Sequence, residues 1–175
     1  VKNSTFERTD APLEIRHADH VTVDTITSTD SYRAGVIFTG INYDYPGTPA
    51  GVLKDSVILR SGLSGMSWGT AGLQFNAVHN FVADNVEVGY TQSPNGIDGV
   101  GIDYEGLNKN VTVQNSYIHD NEDEAVMYYR NPQWAGSIDN VNTSLIDNVF
   151  ENNGIKDDGV HAALLVHQYN AENRG

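Results

Sequence analysis

Apolar and polar residues alternate along this chain in short runs, separated by turns rich in Gly, Asn and Asp. Alternation with a period of two marks a β-strand with one buried face. No convincing amphipathic helix interrupts it. The runs also repeat. Val1-x-Asn3-x-x-Phe6-x-x-Thr9 matches Leu53-x-Asp55-x-x-Ile58-x-x-Ser61, and both match Val113-x-Asn115-x-x-Ile118-x-x-Asn121 and Leu145-x-Asp147-x-x-Phe150-x-x-Asn153. Val21 to Ser28 and Val82 to Val88 are looser copies. With Val1, Val23, Leu53, Val82, Val113 and Leu145 as equivalents, the steps are 22, 30, 29, 31 and 32 residues. Leucine-rich and helical repeats keep a stricter period. A constant core motif with variable spacing predicts a coil whose insertions fall in loops.

A second strand follows each copy: Leu13–Arg16, Val36–Thr39, Leu73–Asn76, Ile102–Glu105, Val126–Tyr129 and Leu164–His167. Their first and third positions are aliphatic or aromatic throughout and predict stacked ladders facing a core. The column Asn3, Asp55, Asn115, Asp147 predicts a polar ladder at a tight bend, where Asx side chains bond to backbone. Gly35, Gly72 and Gly101, with Ala125 and Ala163 in the equivalent place, suit a corner of close backbone approach. The expectation is an all-β chain: a parallel β-solenoid of about six rungs, residues 1–175 forming a single domain around one elongated core. One rung cannot bury its own face. The chain opens inside a strand and closes where another rung would begin, so it reads as a segment of a longer protein.

The second and fourth positions of the second strands are expected to face outward. Down the rungs they read Glu14, Ile37, Gln74, Asp103, Met127, Leu165 and Arg16, Thr39, Asn76, Glu105, Tyr129, His167. Rungs stack ~4.8 Å apart, and Asp103 and Glu105 lie about 6.6 Å apart by Cα on one face. Two carboxylates this close repel, so one pKa rises and a proton can be shared. That is the requirement for a general acid beside a nucleophile or base. Asp103 and Glu105 are therefore the candidate catalytic pair, weighed against two carboxylates that merely keep a strand soluble. Gln74, Asn76, Tyr129, Arg130 and His167 surround them with donors, a ring and a cation suited to a sugar chain laid across the rungs. Trp68 and Trp134 sit in loops, where exposed rings can wall a groove and stack on sugar faces. The run from His119 to Glu124 packs hard oxygen ligands densely enough that Asp120, Glu122 and Asp123 could hold Ca²⁺. A solvated acidic turn is the plainer account.

Composition narrows the partners. A net charge of −13, from 10 Lys and Arg against 23 Asp and Glu, disfavours nucleic acid and anionic membranes. No run of about twenty apolar residues would span a bilayer as a helix. The absence of cysteine removes disulfides, thiolate metal ligands and thiolate nucleophiles.

The repeated Val-x-Asn-x-x-Phe/Ile-x-x-Asn motif, with Gly101-Ile102-Asp103-Tyr104-Glu105-Gly106 between copies, resembles the right-handed parallel β-helix, or pectate-lyase-like, superfamily over nearly the whole chain. That resemblance implies a right-handed coil, a polysaccharide or oligosaccharide partner and a secreted or cell-surface location. It does not choose an activity: the superfamily includes lyases, hydrolases, epimerases, esterases, adhesins and tailspikes. The Tyr-Gly-Phe-Asp-Pro-His motif of mannuronan epimerases is absent, with only an echo at Gly101 to Glu105. The expected function is a glycoside hydrolase using Asp103 and Glu105, with no cofactor required. One rival is a calcium-dependent uronate lyase or epimerase, in which Ca²⁺ or Arg130 would neutralise the sugar carboxylate. The other is a non-catalytic structural or adhesive solenoid.

Overall fold

The computed structural model describes residues 1–43, 50–64, 69–94, 98–129, 140–156 and 163–167. Among them, fourteen strands follow one another: β1 (Lys2–Glu7), β2 (Leu13–Arg16), β3 (Thr22–Thr29), β4 (Val36–Thr39), β5 (Gly51–Leu59), β6 (Thr70–Asn76), β7 (His79–Gly89), β8 (Gly99–Tyr104), β9 (Lys109–Gln114), β10 (Tyr117–His119), β11 (Val126–Tyr129), β12 (Ser144–Ile146), β13 (Val149–Glu151) and β14 (Leu164–His167). The chain passes back and forth between two sheets. One holds eight strands, in the order β1-β3-β5-β7-β10-β13 with β9 and β12 continuing beside β7. The other holds six, β2-β4-β6-β8-β11-β14. Every strand pairing is parallel. The described residues are all-β and consistent with a parallel β-solenoid.

The register follows the sequence columns with one correction. Val23, Leu53, Ala83, Val113 and Leu145 are the true equivalents. Ala83, not Val82, takes the inward position, and the two middle steps become 30 residues each (53 to 83, 83 to 113). The bulkier Val82 had the stronger apolar signal, but it is only half-buried while Ala83 is fully enclosed. The second-strand columns pair as expected, Leu13 with Val36, Leu73, Ile102, Val126 and Leu164 in succession. Between the sheets runs a ladder of rings: Phe38 and Phe75 stacked at 6.0 Å, Phe75 and Tyr104 tilted at 5.3 Å, Tyr104 and Tyr128 stacked at 4.5 Å. Phe81 enters from the other sheet, 4.7 Å from Phe38.

Corners are where this coil is most constrained. Asn3, Thr25, Asp55, Asn85, Asn115 and Asp147 all adopt φ of 49–54°. Non-glycine residues enter this left-handed region at a cost of about 1–2 kcal/mol, least for Asn and Asp. Side chains link successive turns, as where Asn85 Nδ2 donates to Asp55 Oδ1 at 2.8 Å. A second left-handed column holds Arg8, Asp30, Arg60, Tyr90, Asp120 and Asn152. Here the next rung imposes the bend: the N–H groups of Arg8, Asp30, Arg60, Tyr90 and Asp120 each donate to a carbonyl one rung on, at 3.0–3.2 Å. At the third corner, a Cβ on Gly72 would lie 2.4 Å from Val88 Cγ1 and 2.9 Å from the Gly101 carbonyl oxygen. Close approach, not φ, demands glycine there.

The outward columns of the second sheet need a correction. Ile37, Asp103 and Met127 are almost wholly buried, at 6–7% exposure. Met127 packs with Ala71 and Val100 into a small apolar cluster separate from the main core, with Tyr129 and Leu165 against it. The outer face of this sheet is concave here, not an open polar surface.

Candidate functional site

The concavity is a cleft of about 220 Å³ on the six-stranded sheet. Strand alternation turns Ile37, Gln74, Asp103 and Met127 to the same side, and the register stacks them on consecutive rungs. Asp98, just before β8, and Glu105, just after it, bring two more carboxyl groups to the lining. Both members of the expected catalytic pair thus lie in one cavity with Gln74.

Asp103 is the central group. Its Oδ2 accepts a hydrogen bond from Gln74 Nε2 at 3.3 Å. Its Oδ1 is buried and has no donor among the described residues. The Glu105 carboxyl lies within hydrogen-bonding reach, and two carboxylates can be joined only by a proton between them. Burial first, then the charges of Glu105 and Asp98, holds the Asp103 carboxyl well above the usual carboxylate range. Asp98 is pushed up to about 6, by burial and then by the charges of Asp123, Glu124 and Glu105, with Lys156 opposing. A carboxyl group whose pKa is raised, beside a second carboxyl group, is the arrangement that general acid catalysis uses.

Other elements fix Asp98. Thr70 donates its N–H to the Asp98 carbonyl at 2.9 Å, and its hydroxyl, 3.2 Å from that carbonyl, donates to the nearer Gln92 carbonyl at 2.5 Å. The next residue, Gly99, donates its N–H to Asp123 Oδ2 at 2.7 Å and accepts from the Asp123 N–H at 3.1 Å. Glu122 Oε2 accepts from the Ser93 N–H at 2.6 Å, tying the same loop to the same turn. Two of the three candidate Ca²⁺ ligands therefore bind backbone N–H groups. The third, Asp120, turns toward the eight-stranded sheet, where its Oδ2 lies 2.8 Å from His119 Nδ1. Among the described residues, no group of three or more His, Asp or Glu side chains is arranged to hold a metal ion.

The expected sugar-binding residues divide. Gln74 lines the cleft. Asn76 pairs in register with Thr39, and its buried Oδ1 has no hydrogen-bond partner among the described residues. Tyr129 packs on the Ala71–Val100–Met127 cluster at the cleft's edge. His167 pairs with Tyr129 in register, but its side chain lies outside what is described, as do Trp68, Arg130 and Trp134.

Sequence reasoning missed Asp98 and the nearness of Asp123 and Glu124. Asp98 lies just before β8, outside the alternating run, where strand periodicity carries no signal. The buried Glu124 could have been found, since it directly precedes the small-residue corner at Ala125. Arg33 also lines the cleft, with its Nε donating to Asp10 Oδ2 at 2.8 Å. No helix among the described residues is long and apolar enough to cross a membrane. Searches against family models, curated proteins and solved structures returned no match.

Proposed function

We propose that this chain is part of a secreted or cell-surface glycoside hydrolase of right-handed parallel β-helix, pectate-lyase-like architecture, acting on a polysaccharide. The handedness rests on the strong preference of parallel strands for right-handed crossovers. The activity rests on one observation: Asp103 is buried in a cleft with Glu105 and Asp98 beside it. Asp103 keeps its proton and donates it to the glycosidic oxygen as the bond to the anomeric carbon breaks. Water adds to the oxocarbenium-like carbon and gives its proton to Glu105, acting as the carboxylate base, and proton exchange with solvent restores Asp103. Gln74 orients Asp103 and offers its amide to a sugar hydroxyl. No metal or cofactor is required by these steps.

The test is release of reducing ends from neutral and uronic polysaccharides, with absorbance at 235 nm followed in parallel and EDTA as a control. The proposal expects reducing ends without new absorbance. It also expects Asp103→Asn and Glu105→Gln to lower turnover on the order of 10²-fold or more. EDTA-sensitive absorbance would replace it with the lyase reading. Turnover unchanged in both variants would return the pair to structural carboxylates.

A further inference from the structure

The cleft's lining combines two chemistries. Asp98, Asp103, Glu105 and Gln74 are polar, as are Arg33 and Thr70. The rest is largely aliphatic: Ala34, Ala71 and Val100 each precede the corner residues of successive rungs, and Ile37 and Met127 stack below and above the Gln74–Asp103 pair in the same column. All five are at most 7% exposed, so the wall is recessed rather than a surface patch. Its smallest members are the two alanines, on successive rungs, with Ala71 paired in register with Val100.

This shape and chemistry constrain what can sit beside Asp103. A broad sugar ring face is best matched by a flat aromatic plate, and none of the described lining residues is aromatic. A small aliphatic notch instead matches a methyl group. A hydroxymethyl group placed there would lose its hydrogen bonds to water without replacement. A sugar carboxylate would face the charges of Asp98, Glu105 and their neighbours Asp123 and Glu124. Arg33, the basic residue among the described lining, is already paired with Asp10.

We infer that the cleft selects a neutral, methyl-bearing sugar, a 6-deoxyhexose or an N-acetylhexosamine, whose methyl group enters the notch formed by Ala34, Ala71 and Val100. This rests on the glycan-cleaving reading and adds its substrate class. The two sources of the methyl group differ in what they require alongside it. A 6-deoxy sugar needs only the notch, whereas an acetamido group also needs an acceptor for its N–H, which Asp98 or Gln74 can supply.

Equilibrium binding tests this without requiring turnover. Methyl glycosides of L-fucose and L-rhamnose are titrated calorimetrically into the protein against those of L-galactose and L-mannose, which carry a hydroxymethyl group in place of the methyl. N-Acetylglucosamine is titrated against glucose, a neutral sugar with a hydroxyl in place of the acetamido group, and galacturonate serves as the charged control. At least one methyl-bearing sugar should bind about tenfold more tightly than its counterpart, with galacturonate weakest. Ala71→Leu, which fills the notch, should abolish the preference. Val100→Thr, which keeps the shape and adds a hydroxyl, should narrow it. Equal or inverted affinities, a preference indifferent to both variants, or no sugar bound at all would overturn the inference. Methyl-selective binding without hydrolysis of any polysaccharide would sustain it while removing the hydrolase assignment.

Discussion

Replacing Asp98 by Asn should stabilise this protein at neutral pH and leave it unchanged in mild acid. Burial and the surrounding carboxylates raise the Asp98 carboxyl from 3.8 to about 6. At ~1.4 kcal/mol per pH unit, its charged form is disfavoured in the fold by about 3 kcal/mol. Asp98 is only half-buried, and screening by solvent reduces the expected value to about 1–2 kcal/mol. The direction follows from proton binding. Between about pH 4, where the unfolded carboxyl ionises, and about pH 6, the folded state binds more protons than the unfolded one. Stability therefore falls as pH rises through this window, and the loss is complete above it. Asn cannot ionise, and it relieves Asp103 of one repulsive neighbour as well. Urea unfolding followed by circular dichroism, at half-unit steps from pH 4 to 7.5, should show the two proteins converging at pH 4. At pH 7 the variant should lead by about 1–2 kcal/mol. Parallel curves across the range, or a parent more stable at pH 7, would refute the electrostatic account of this cleft.

Turnover carries a related signature. The falling limb of the rate against pH, where Asp103 loses its proton, should lie above the range in which an ordinary carboxyl ionises. Asp98→Asn removes one of the charges that hold that proton, so the falling limb of kcat against pH should move to lower pH. At the glycine corner, Gly72→Ala forces a methyl group against Val88 and the Gly101 carbonyl. It should lower stability by about 1–3 kcal/mol in urea unfolding, and a neutral result would mean the corner can widen. Asn108, fully buried, accepts from the Val78 N–H at 2.9 Å and donates to the Phe75 carbonyl at 3.1 Å. Asn108→Ala strands the Val78 N–H, while the Phe75 carbonyl keeps the Glu105 N–H at 2.9 Å; it should cost about 1–3 kcal/mol by the same measurement, whereas a cost well below 1 kcal/mol would show that water reaches the Val78 N–H.

Much of the fold is legible in the sequence because a parallel coil stacks like on like. Phe38, Phe75, Tyr104 and Tyr128 fall at the same place in successive copies, and periodicity alone identifies the inward ladder they form. The Asn and Asp residues of the first bend are equally visible, since their side chains tolerate left-handed backbone and link rung to rung. The second bend is not. Arg8, Asp30, Arg60 and Tyr90 share no chemistry, and their conformation is set by hydrogen bonds to the neighbouring rung, which local sequence does not encode. Val82 and Ala83 show the same limit, because register is chosen by the whole sheet and not by the more hydrophobic of two adjacent residues.

The candidate site divides along the same line. Strand alternation by itself puts Asp103 on the side of its strand away from the core and close to Glu105, with Gln74 one rung away. What it cannot give is depth. A column expected to meet solvent became the floor of a cleft, which Asp98 also lines and in which apolar Ile37 and Met127 flank the Gln74–Asp103 pair. Burial and the neighbouring carboxyl groups hold the Asp103 carboxyl well above the usual carboxylate range. The repeat determined which residues are neighbours. The packing of turns around them decided their dielectric surroundings, and with those their chemistry.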